Sequence, residues 1–233
     1  MNLLALDTCT RRCSVAVLIG DAVAAEVATA APRTHTAHLM ELVREALACA
    51  QVHARALDAL AVTMGPGSFT GLRIGMSTAM GLAFAAGKPC IGVSSLEALA
   101  AACLPYPHTI CSMLDARKGQ VYVGRFRWAG DRLLRIGEER AVRPEEYLEA
   151  GDAPHLFVGD GAAAYAELIR SRLGTLAELA GPELNYPQAS VVARLARASW
   201  TDPPPGSALR PRYLRRSDAE LGIRSPVPPL GNS

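Results

Sequence analysis

A glycine-rich stretch with the sequence GPGSFTGLRIG, at residues 65–75, is the part of this chain best suited to bind an anion. The apolar run at residues 60–64 predicts a buried strand before it, and residues 72–86 predict a helix that ends at Gly87. A strand, a glycine-rich turn and a helix N-terminus together present free backbone N–H groups to a phosphate or carboxylate. The residues of this turn that are candidates for contacting a nucleotide are Gly65, Gly67, Ser68, Thr70 and Gly71, of which Ser68 or Thr70 can also cap the helix.

Three common motifs do not match this turn. A P-loop places Lys after its second Gly, where this chain has Leu72. A dinucleotide-binding fingerprint requires its third Gly one position before Gly71, and a nucleophile elbow requires Ser in place of Phe69. The turn is therefore a candidate anion site outside the usual phosphate-binding classes.

Polar side chains at the tip of a predicted N-terminal hairpin form a second candidate group. Asp7, Thr8 and Thr10 lie between the apolar strands at residues 3–6 and 14–19. This tip resembles the first phosphate loop of the actin, sugar-kinase and Hsp70 superfamily, which implies that its Asp holds a metal or a water. The superfamily has Gly two residues after the Asp, whereas this chain has Cys9, whose side chain would crowd a phosphate.

The departure at Cys9 argues against ATP hydrolysis by this chain. The alternative interpretation of the tip is a hairpin turn stabilised by its Asp and Thr side chains, and both interpretations stay open.

Small residues recur every four positions along the helix predicted after the glycine-rich turn. Gly71, Gly75, Ala79 and Ala83 share one helical face. An interior Gly destabilises a helix by about 1 kcal/mol relative to Ala, so we expect this face to let another backbone come close. That backbone belongs either to the same domain or to a partner chain, and the second interpretation makes these four residues part of a predicted partner interface.

An amphipathic helix is predicted at residues 34–52, with apolar residues at three- and four-residue spacing. His35 and His38 lie near its start, but no third ligand is apparent nearby, so we predict solvated or helix-cap histidines and no metal site. A second, part-apolar face of this helix suits a partner. Its candidate interface residues are His35, Ala37, Met40 and Arg44.

Composition narrows the class of protein. The 233 residues suffice for one large domain or two small ones, and the net charge of +2 gives no sign of a dedicated nucleic-acid surface. The start of the chain lacks the pattern of a signal peptide, and no apolar run is long enough to span a membrane, so we expect a cytoplasmic protein. No C-x-x-C pair occurs, and we expect the cysteines at positions 9, 13, 49, 90, 103 and 111 to be free and buried.

The order of predicted elements indicates an α/β fold. Three strands, then a helix, a strand, a helix, a strand and a helix suit a mixed sheet with helices on its faces. The Pro-Tyr-Pro sequence at 105–107 interrupts this order, and after it an apolar strand, an Asp-containing turn and a second strand repeat the opening hairpin, with Asp115 matching Asp7. We predict one domain at residues 1–104, a second at 105–216 and a flexible tail at 217–233.

The undecapeptide at 65–75 closely resembles the signature of the TsaB (YeaZ) family. The segment from Asp115 to Tyr122 and the Pro-Arg-Tyr-Leu-Arg sequence at 211–215 resemble the same family. The resemblance implies two tandem actin-like (ribonuclease-H-like) subdomains with mixed sheets flanked by helices. It also implies a non-catalytic paralogue of the transferase TsaD.

What the resemblance implies for function is a scaffold or activating subunit in the synthesis of threonylcarbamoyladenosine in tRNA. Such a subunit pairs with TsaD through its N-terminal domain, is joined by the ATPase TsaE, contacts tRNA only indirectly, and can form a homodimer when TsaD is absent. TsaD holds a metal with H-x-x-x-H, where this chain has H-x-x-H. We therefore predict no catalytic residue, no metal and no cofactor of its own, with any ATP and Mg²⁺ bound by the partners.

Two alternatives remain. The chain can be a nucleotide-binding enzyme (an ATPase) of the actin-like superfamily in its own right, using Asp7, Thr8, Thr10 and the loop at 65–71. The same loop can also bind nucleotide only at an interface shared with a partner.

Overall fold

Two five-stranded sheets with the same strand order make up the frame of the molecule. The computed structural model describes residues 1–29, 35–103, 105–148, 153–200 and 209–215, with the side chains of residues 35–37 left out. The strands are β1 (Asn2–Asp7), β2 (Cys13–Ile19), β3 (Ala22–Thr29), β4 (Ala59–Gly65), β5 (Cys90–Ser94), β6 (Thr109–Arg117), β7 (Gln120–Ala129), β8 (Arg132–Val142), β9 (His155–Val158) and β10 (Ala177–Leu179). The helices are α1 (His35–Cys49), α2 (Phe69–Ala86), α3 (Ser95–Ala102), α4 (Pro144–Tyr147), α5 (Asp160–Ala164), α6 (Ala166–Leu173) and α7 (Ala189–Ala198).

The second sheet repeats the topology of the first. The orders are β3-β2-β1-β4-β5 and β10-β9-β6-β7-β8, so β6 takes the place of β1 and β9 that of β4. In each sheet three strands form an antiparallel meander, and the first of them pairs in parallel with a later strand. The predicted α/β class, with mixed sheets flanked by helices, is confirmed.

Alternation along β1 explains why the first sheet is covered on both faces. Leu4 and Leu6 lie in the apolar core beneath α1 and α2, whereas Leu3 and Ala5 lie in the core beneath α7. Successive side chains of a strand point to opposite faces, so a strand that is apolar at every position requires a layer on each side. Burying a leucine in this way contributes about 1.5–3 kcal/mol.

The helices do not follow the predicted division of the chain at 104/105. α3 comes before that point, yet Leu96 and Leu99 pack against Ile110 and Phe126 of the second sheet. α7 comes after it, yet its buried face packs on the first sheet. Strands β1 to β5 form the first sheet and β6 to β10 the second, so the strands do follow the predicted division. An amphipathic helix, in contrast, can pack on whichever sheet offers it an apolar face. The predicted tail at 217–233 lies outside the described residues.

Cysteine burial also differs from the prediction. All six are free, but Cys49 is exposed and Cys90 is only half-buried. Cys49 is the last residue of α1, at a position that points away from the sheet. Among the described helices, none combines the length and apolar composition needed to cross a bilayer.

Residues 209–215, which we term the C-terminal strap, connect the two sheets. The Arg212 N–H donates to the carbonyl of Met64 near the end of β4 in the first sheet (2.7 Å). Three residues on, the Arg215 guanidinium donates to the carbonyl of Ala116 in the second sheet (2.7 Å). The strap therefore holds the ends of β4 and β6 in a fixed relation.

The buried carboxylate of Glu139 forms an ion pair with the strap. Glu139 on β8 is almost fully buried, and its Oε1 accepts a hydrogen bond from the Ser94 hydroxyl (2.6 Å). The Arg212 guanidinium lies 2.9 Å from Oε2, as an ion pair without a well-directed hydrogen bond. A buried charge of this kind is tolerated only while its partner is present.

Replacing Arg212 by Gln is expected to destabilise the fold, because Glu139 would keep its charge in a site closed to water. We expect a loss of about 2–3 kcal/mol, below the range for fully buried pairs because roughly a third of the Arg212 side chain reaches solvent (32%). Urea unfolding at neutral pH measures the loss. Arg210→Gln, at an exposed position of the same strap, is the control, and equal stability of the two variants would contradict the role given to the pair.

Candidate functional site

The glycine-rich turn leads directly from β4 into α2. Ser68 is the N-cap of α2, and its Oγ accepts a hydrogen bond from the Gly71 N–H (3.2 Å). At the other end, Gly87 adopts the left-handed conformation (φ 64°) and closes the helix. The structure thus selects Ser68 over Thr70, which is exposed in the first turn.

The hairpin tip lies beneath this turn, so the structure brings the two predicted groups of residues together. Asp7, Thr8 and Cys9 are all buried. The Thr8 hydroxyl donates to the carbonyl of Gly71 (2.7 Å), and the Ser68 N–H donates to the carbonyl of Cys9 (2.7 Å). Thr10 is less closely involved, since the hydrogen bonds described for its Oγ1 stay within the tip: it accepts from the Arg12 N–H (3.3 Å) and donates to the Arg12 carbonyl (3.5 Å).

Three glycines make this close approach possible. A Cβ on Gly67 would overlap the carbonyl of Cys9, one on Gly71 would overlap the carbonyl of Thr8, and one on Gly75 would meet the Thr8 hydroxyl. Only a residue without a side chain fits against another backbone at such a distance. The backbone that the small-residue row admits is therefore the hairpin of the same chain.

The interpretation of that row as a seam with a partner has to be corrected. Beyond the two glycines, Ala79 and Ala83 are buried in the core that α2 shares with α1 and the first sheet. The spacing predicted a close approach, but it could not specify whose backbone comes close. All four side-chain positions face the interior of their own domain, and a partner could reach them only if that domain opened.

When the glycine-rich turn packs on the hairpin, two of the backbone N–H groups with which it could bind an anion are already hydrogen-bonded. The Ser68 N–H is bonded to Cys9, and the Gly71 N–H is bonded to the Ser68 hydroxyl. Cys9 occupies the position at which the superfamily has Gly, and it is wholly buried against the turn. Two backbone N–H groups of the turn are thus bonded within the chain itself.

Asp7 is the most unusual titratable group of the site. Its Oδ1 accepts hydrogen bonds from the Thr63 hydroxyl (2.6 Å) and the Cys9 N–H (3.3 Å), while Oδ2 has no hydrogen-bond partner among the described residues. Burial raises the pKa of Asp7 to about 6, against the opposing effects of these hydrogen bonds and of the Arg12 charge. Burial, followed by the nearby Asp7 charge, also raises the pKa of the Cys9 thiol well above its usual range, so Cys9 is a poor nucleophile.

A second acidic group faces the hairpin tip from the other sheet. Asp160, at the start of α5, accepts a hydrogen bond from the Asp115 N–H (3.0 Å). Burial raises the pKa of Asp160, and the charge of Arg11 in the hairpin tip lowers it in turn. Sequence reasoning gave Asp160 no role, although the Gly-Asp-Gly sequence directly after a strand was the signal that could have found it.

The structure describes the side chain of one of the two histidines predicted near the start of α1. His38 is exposed, and its Nδ1 lies 3.1 Å from the Glu41 carboxylate, while the side chain of His35 is outside the description. Within the described ranges, no three His, Cys, Asp or Glu side chains come together as metal ligands.

The outer surface of α1 and α2 carries apolar side chains that the sequence reasoning mostly missed. Phe84 on α2 is 91% exposed, Met80 one turn before it is 38% exposed, and Met40 on α1 is 41% exposed. Arg44, on the same helix as Met40, is also exposed, and the side chain of Ala37 is outside the description. The four-residue spacing of Met80 and Phe84, beside the small-residue row, was the available signal.

Comparison with known proteins agrees with this geometry. The family model described as TsaD, tRNA N6-adenosine threonylcarbamoyltransferase, matches residues 26–223. The tRNA threonylcarbamoyladenosine biosynthesis protein TsaB of Bacillus subtilis is 33% identical over 94% of this chain and 96% of its own length.

Solved structures give the same result. A Pseudomonas aeruginosa protein described as similar to peptidase YEAZ superposes with a TM-score of 0.80 at 32% identity, covering 92% of this chain and 99% of its own. Component A of the (R)-2-hydroxyglutaryl-CoA dehydratase of Acidaminococcus fermentans shares the fold alone, with a TM-score of 0.53 at 12% identity over 85% of this chain and 98% of its own. The predicted actin-like fold is confirmed.

Two glycines of α2 are expected to respond to alanine in opposite directions. Gly71→Ala should destabilise the protein by at least about 2 kcal/mol, because the new methyl group overlaps the Thr8 carbonyl. Gly81→Ala, on the exposed side of the same helix with open space around it, should stabilise it by up to about 1 kcal/mol. Thermal unfolding of both variants measures the difference, and a shift of the same sign in both would contradict the docking of the turn.

Asp7 is expected to make stability fall as the pH rises. Its pKa is about 6 in the folded protein and about 3.8 when unfolded, so the folded state binds the proton more tightly between these values. Stability should therefore decrease from pH 4 to pH 6 and then level off, by about 3 kcal/mol in total for this group. Asp7→Asn removes the charge and should remove this decrease.

Urea unfolding at pH 4.5 and pH 7.5 tests the expectation, with Asp131→Asn in an exposed turn as the control. A wild-type protein and an Asp7→Asn variant that share one pH profile would contradict it.

Proposed function

Because the chain belongs to the TsaB family, we propose that it is a non-catalytic scaffold or activating subunit in tRNA threonylcarbamoyladenosine biosynthesis. In this proposal it pairs with the transferase TsaD through the outer surfaces of α1 and α2, and TsaE joins the pair. The family assignment supports a role in the pathway, and the surface chemistry described below supports the mode of pairing.

The observation that carries the proposal is the exposure of Phe84. A phenylalanine that is 91% exposed, with Met80 one turn before it, keeps apolar area in contact with water. Exposed apolar groups on a regular helix are typical of a surface that is covered in an assembly, and aromatic side chains contribute strongly when they are buried at such a surface. Met40 adds to the apolar area of the same helical layer, since α1 and α2 share one core.

The identity of the partner follows from shared architecture. This chain matches a family model described for TsaD, so a TsaD chain is expected to present a similar helical layer on its first sheet. Two such layers can meet about a pseudo-two-fold axis, which is the commonest arrangement for related subunits. The same geometry lets two copies of this chain form a homodimer when TsaD is absent.

The interior of the chain supports a role without catalysis. Cys9 occupies the position at which the superfamily has Gly, and its thiol is buried and has a raised pKa. His38 is paired with Glu41 rather than placed in a cleft. We therefore propose that the chain has no cofactor of its own and that any ATP and Mg²⁺ are bound by its partners.

One observation favours the alternative, in which the chain binds nucleotide itself. Asp7 Oδ2 is buried without a hydrogen-bond partner among the described residues, as expected of a carboxylate that holds a metal-bound water in some states. For a nucleotide to enter, the turn at 65–71 would have to separate from the hairpin tip. We regard the scaffold as the better-supported function because that separation breaks the hydrogen bonds of Ser68 and Thr8.

Met80→Glu and Phe84→Glu are each expected to weaken binding to TsaD about 30-fold or more, the effect of losing a contact worth about 2 kcal/mol at an interface. Leu134→Glu, an exposed apolar position on the second sheet, is the matched control and should bind TsaD as the wild type does. Titration calorimetry with purified TsaD measures the affinity, and circular dichroism confirms folding.

Unchanged TsaD binding by the folded α2 variants would overturn the proposed interface. The alternative function would replace the proposal if, in addition, the isolated chain bound Mg-ATP and lost that binding on Asp7→Ala.

A further inference from the structure

The hairpin of β7 and β8 collects arginines on one face of the second sheet. In its register Arg125 lies opposite Ile136, Arg127 opposite Leu134, and Arg132 opposite Ala129. Residues directly opposite each other in an antiparallel pair point to the same face. Val123, on that face, lies opposite Arg140. The set that we term the arginine face therefore consists of Arg125, Arg127, Arg132, Arg140, Leu134 and Ile136.

Most of this face is open to solvent. Arg127, Arg132 and Arg140 are exposed, and Leu134 and Ile136 are 47% and 42% exposed. The inner end of the same sheet face is covered, since Val121 and Val123 pack in a core with residues of α4 and α6. The outer end thus presents a flat strip of guanidinium groups with apolar side chains between them.

Two of the guanidinium groups are held in place from the protein side. Arg125 lies over the ring of Tyr147 (5.0 Å) and donates to the carbonyl of that residue (3.4 Å). Arg127 donates to the Thr109 hydroxyl on the neighbouring strand (3.2 Å). A guanidinium that is positioned in advance loses less conformational entropy when it binds a ligand.

The carboxylates of the hairpin lie elsewhere. Asp131 is in the turn, Glu138 is in the irregular segment where the β7–β8 register shifts, and Glu139 is buried beside Ser94 on the opposite side. Among the described residues, Arg127, Arg132 and Arg140 form no ion pair with a carboxylate. Next to the face, burial and then the positive charges of Arg125 and Arg127 lower the pKa of His155.

We propose that the arginine face binds the sugar–phosphate backbone of RNA, and that it gives this subunit a direct contact with tRNA. Alternate residues of a strand lie about 7 Å apart, so the guanidinium groups form a row that can meet successive phosphates. Arginine suits this ligand because its planar group donates two parallel hydrogen bonds to a phosphate. This inference rests on the proposed function, which supplies tRNA as the RNA concerned.

RNA fits the face better than an acidic protein segment does. An extended peptide would be expected to pair with β8, the edge strand of the sheet, whereas these arginines stand on the face of the sheet rather than along its edge. Leu134 and Ile136 place exposed apolar side chains between the charged groups, and ribose and base edges can pack against them.

The test compares two triple variants with the same change in charge. Arg127→Glu, Arg132→Glu and Arg140→Glu alter the face, while Arg55→Glu, Arg170→Glu and Arg194→Glu alter exposed arginines elsewhere. An unmodified tRNA transcript is titrated with the isolated full-length chain and followed by fluorescence anisotropy at two salt concentrations.

We expect the face variant to bind at least about tenfold more weakly at roughly 0.1 M salt, with a shallower dependence on salt, because up to three phosphate contacts are lost. The control variant should stay within about threefold of the wild type, since its three arginines lie outside the arginine face and the change in net charge is the same. If the face variant does not fold, Arg132→Gln with Arg140→Gln takes its place and should show a smaller loss in the same direction.

Equal weakening in both triple variants, or no binding of the transcript by the wild-type chain at about 10 µM at low salt, would overturn the proposal. So would displacement of the transcript by poly-glutamate at equal concentration of charge, which would assign the face to an acidic protein. Because TsaD is absent from this titration, its outcome is independent of the TsaD-binding test. Either proposal can therefore fail while the other stands.

Discussion

The structure depends on the contact between the glycine-rich turn and the tip of the first hairpin. Gly67 and Gly71 let the start of α2 lie directly on the backbone of Cys9 and Thr8, and Gly75 leaves room for the Thr8 side chain. That contact fixes the rotation of α2 about its axis, so that Ala79 and Ala83 enter the core and Phe84 is left outside. One constraint on backbone approach thus explains both the closely packed interior at the hairpin tip and the apolar side chains outside.

Local sequence signals predicted much of the fold. The hairpin repeat, the strand before the turn and the cap of α2 depend on residues that are neighbours in the chain, and all of them are present. The direction of the small-residue row could not be predicted, because small residues permit a close approach to any backbone. The position of α7 was missed for a similar reason, since its apolar face fits either sheet and the choice is made by distant residues.

The net charge of the whole chain gave no sign of the arginine face. The chain as a whole is nearly neutral, and the hairpin of β7 and β8 mixes acidic and basic residues along its length. Alternation along the strands separates the acidic from the basic residues only once the register is known. The structure extends β8 to Val142, which places Arg140 beside the other arginines and turns Glu139 inward to Arg212. Charge distribution over a sheet is therefore a property of register rather than of composition.

Asp7 has a structural role at the hairpin tip. A buried carboxylate with a raised pKa destabilises a fold at neutral pH, so its presence requires a compensating contribution. Oδ1 supplies one, because it accepts hydrogen bonds from Thr63 and from the Cys9 N–H and so holds the hairpin tip against β4. The tip in turn supplies the carbonyls onto which the glycine-rich turn docks. Asp7, Thr63 and the hairpin tip are therefore part of the frame that orients α2.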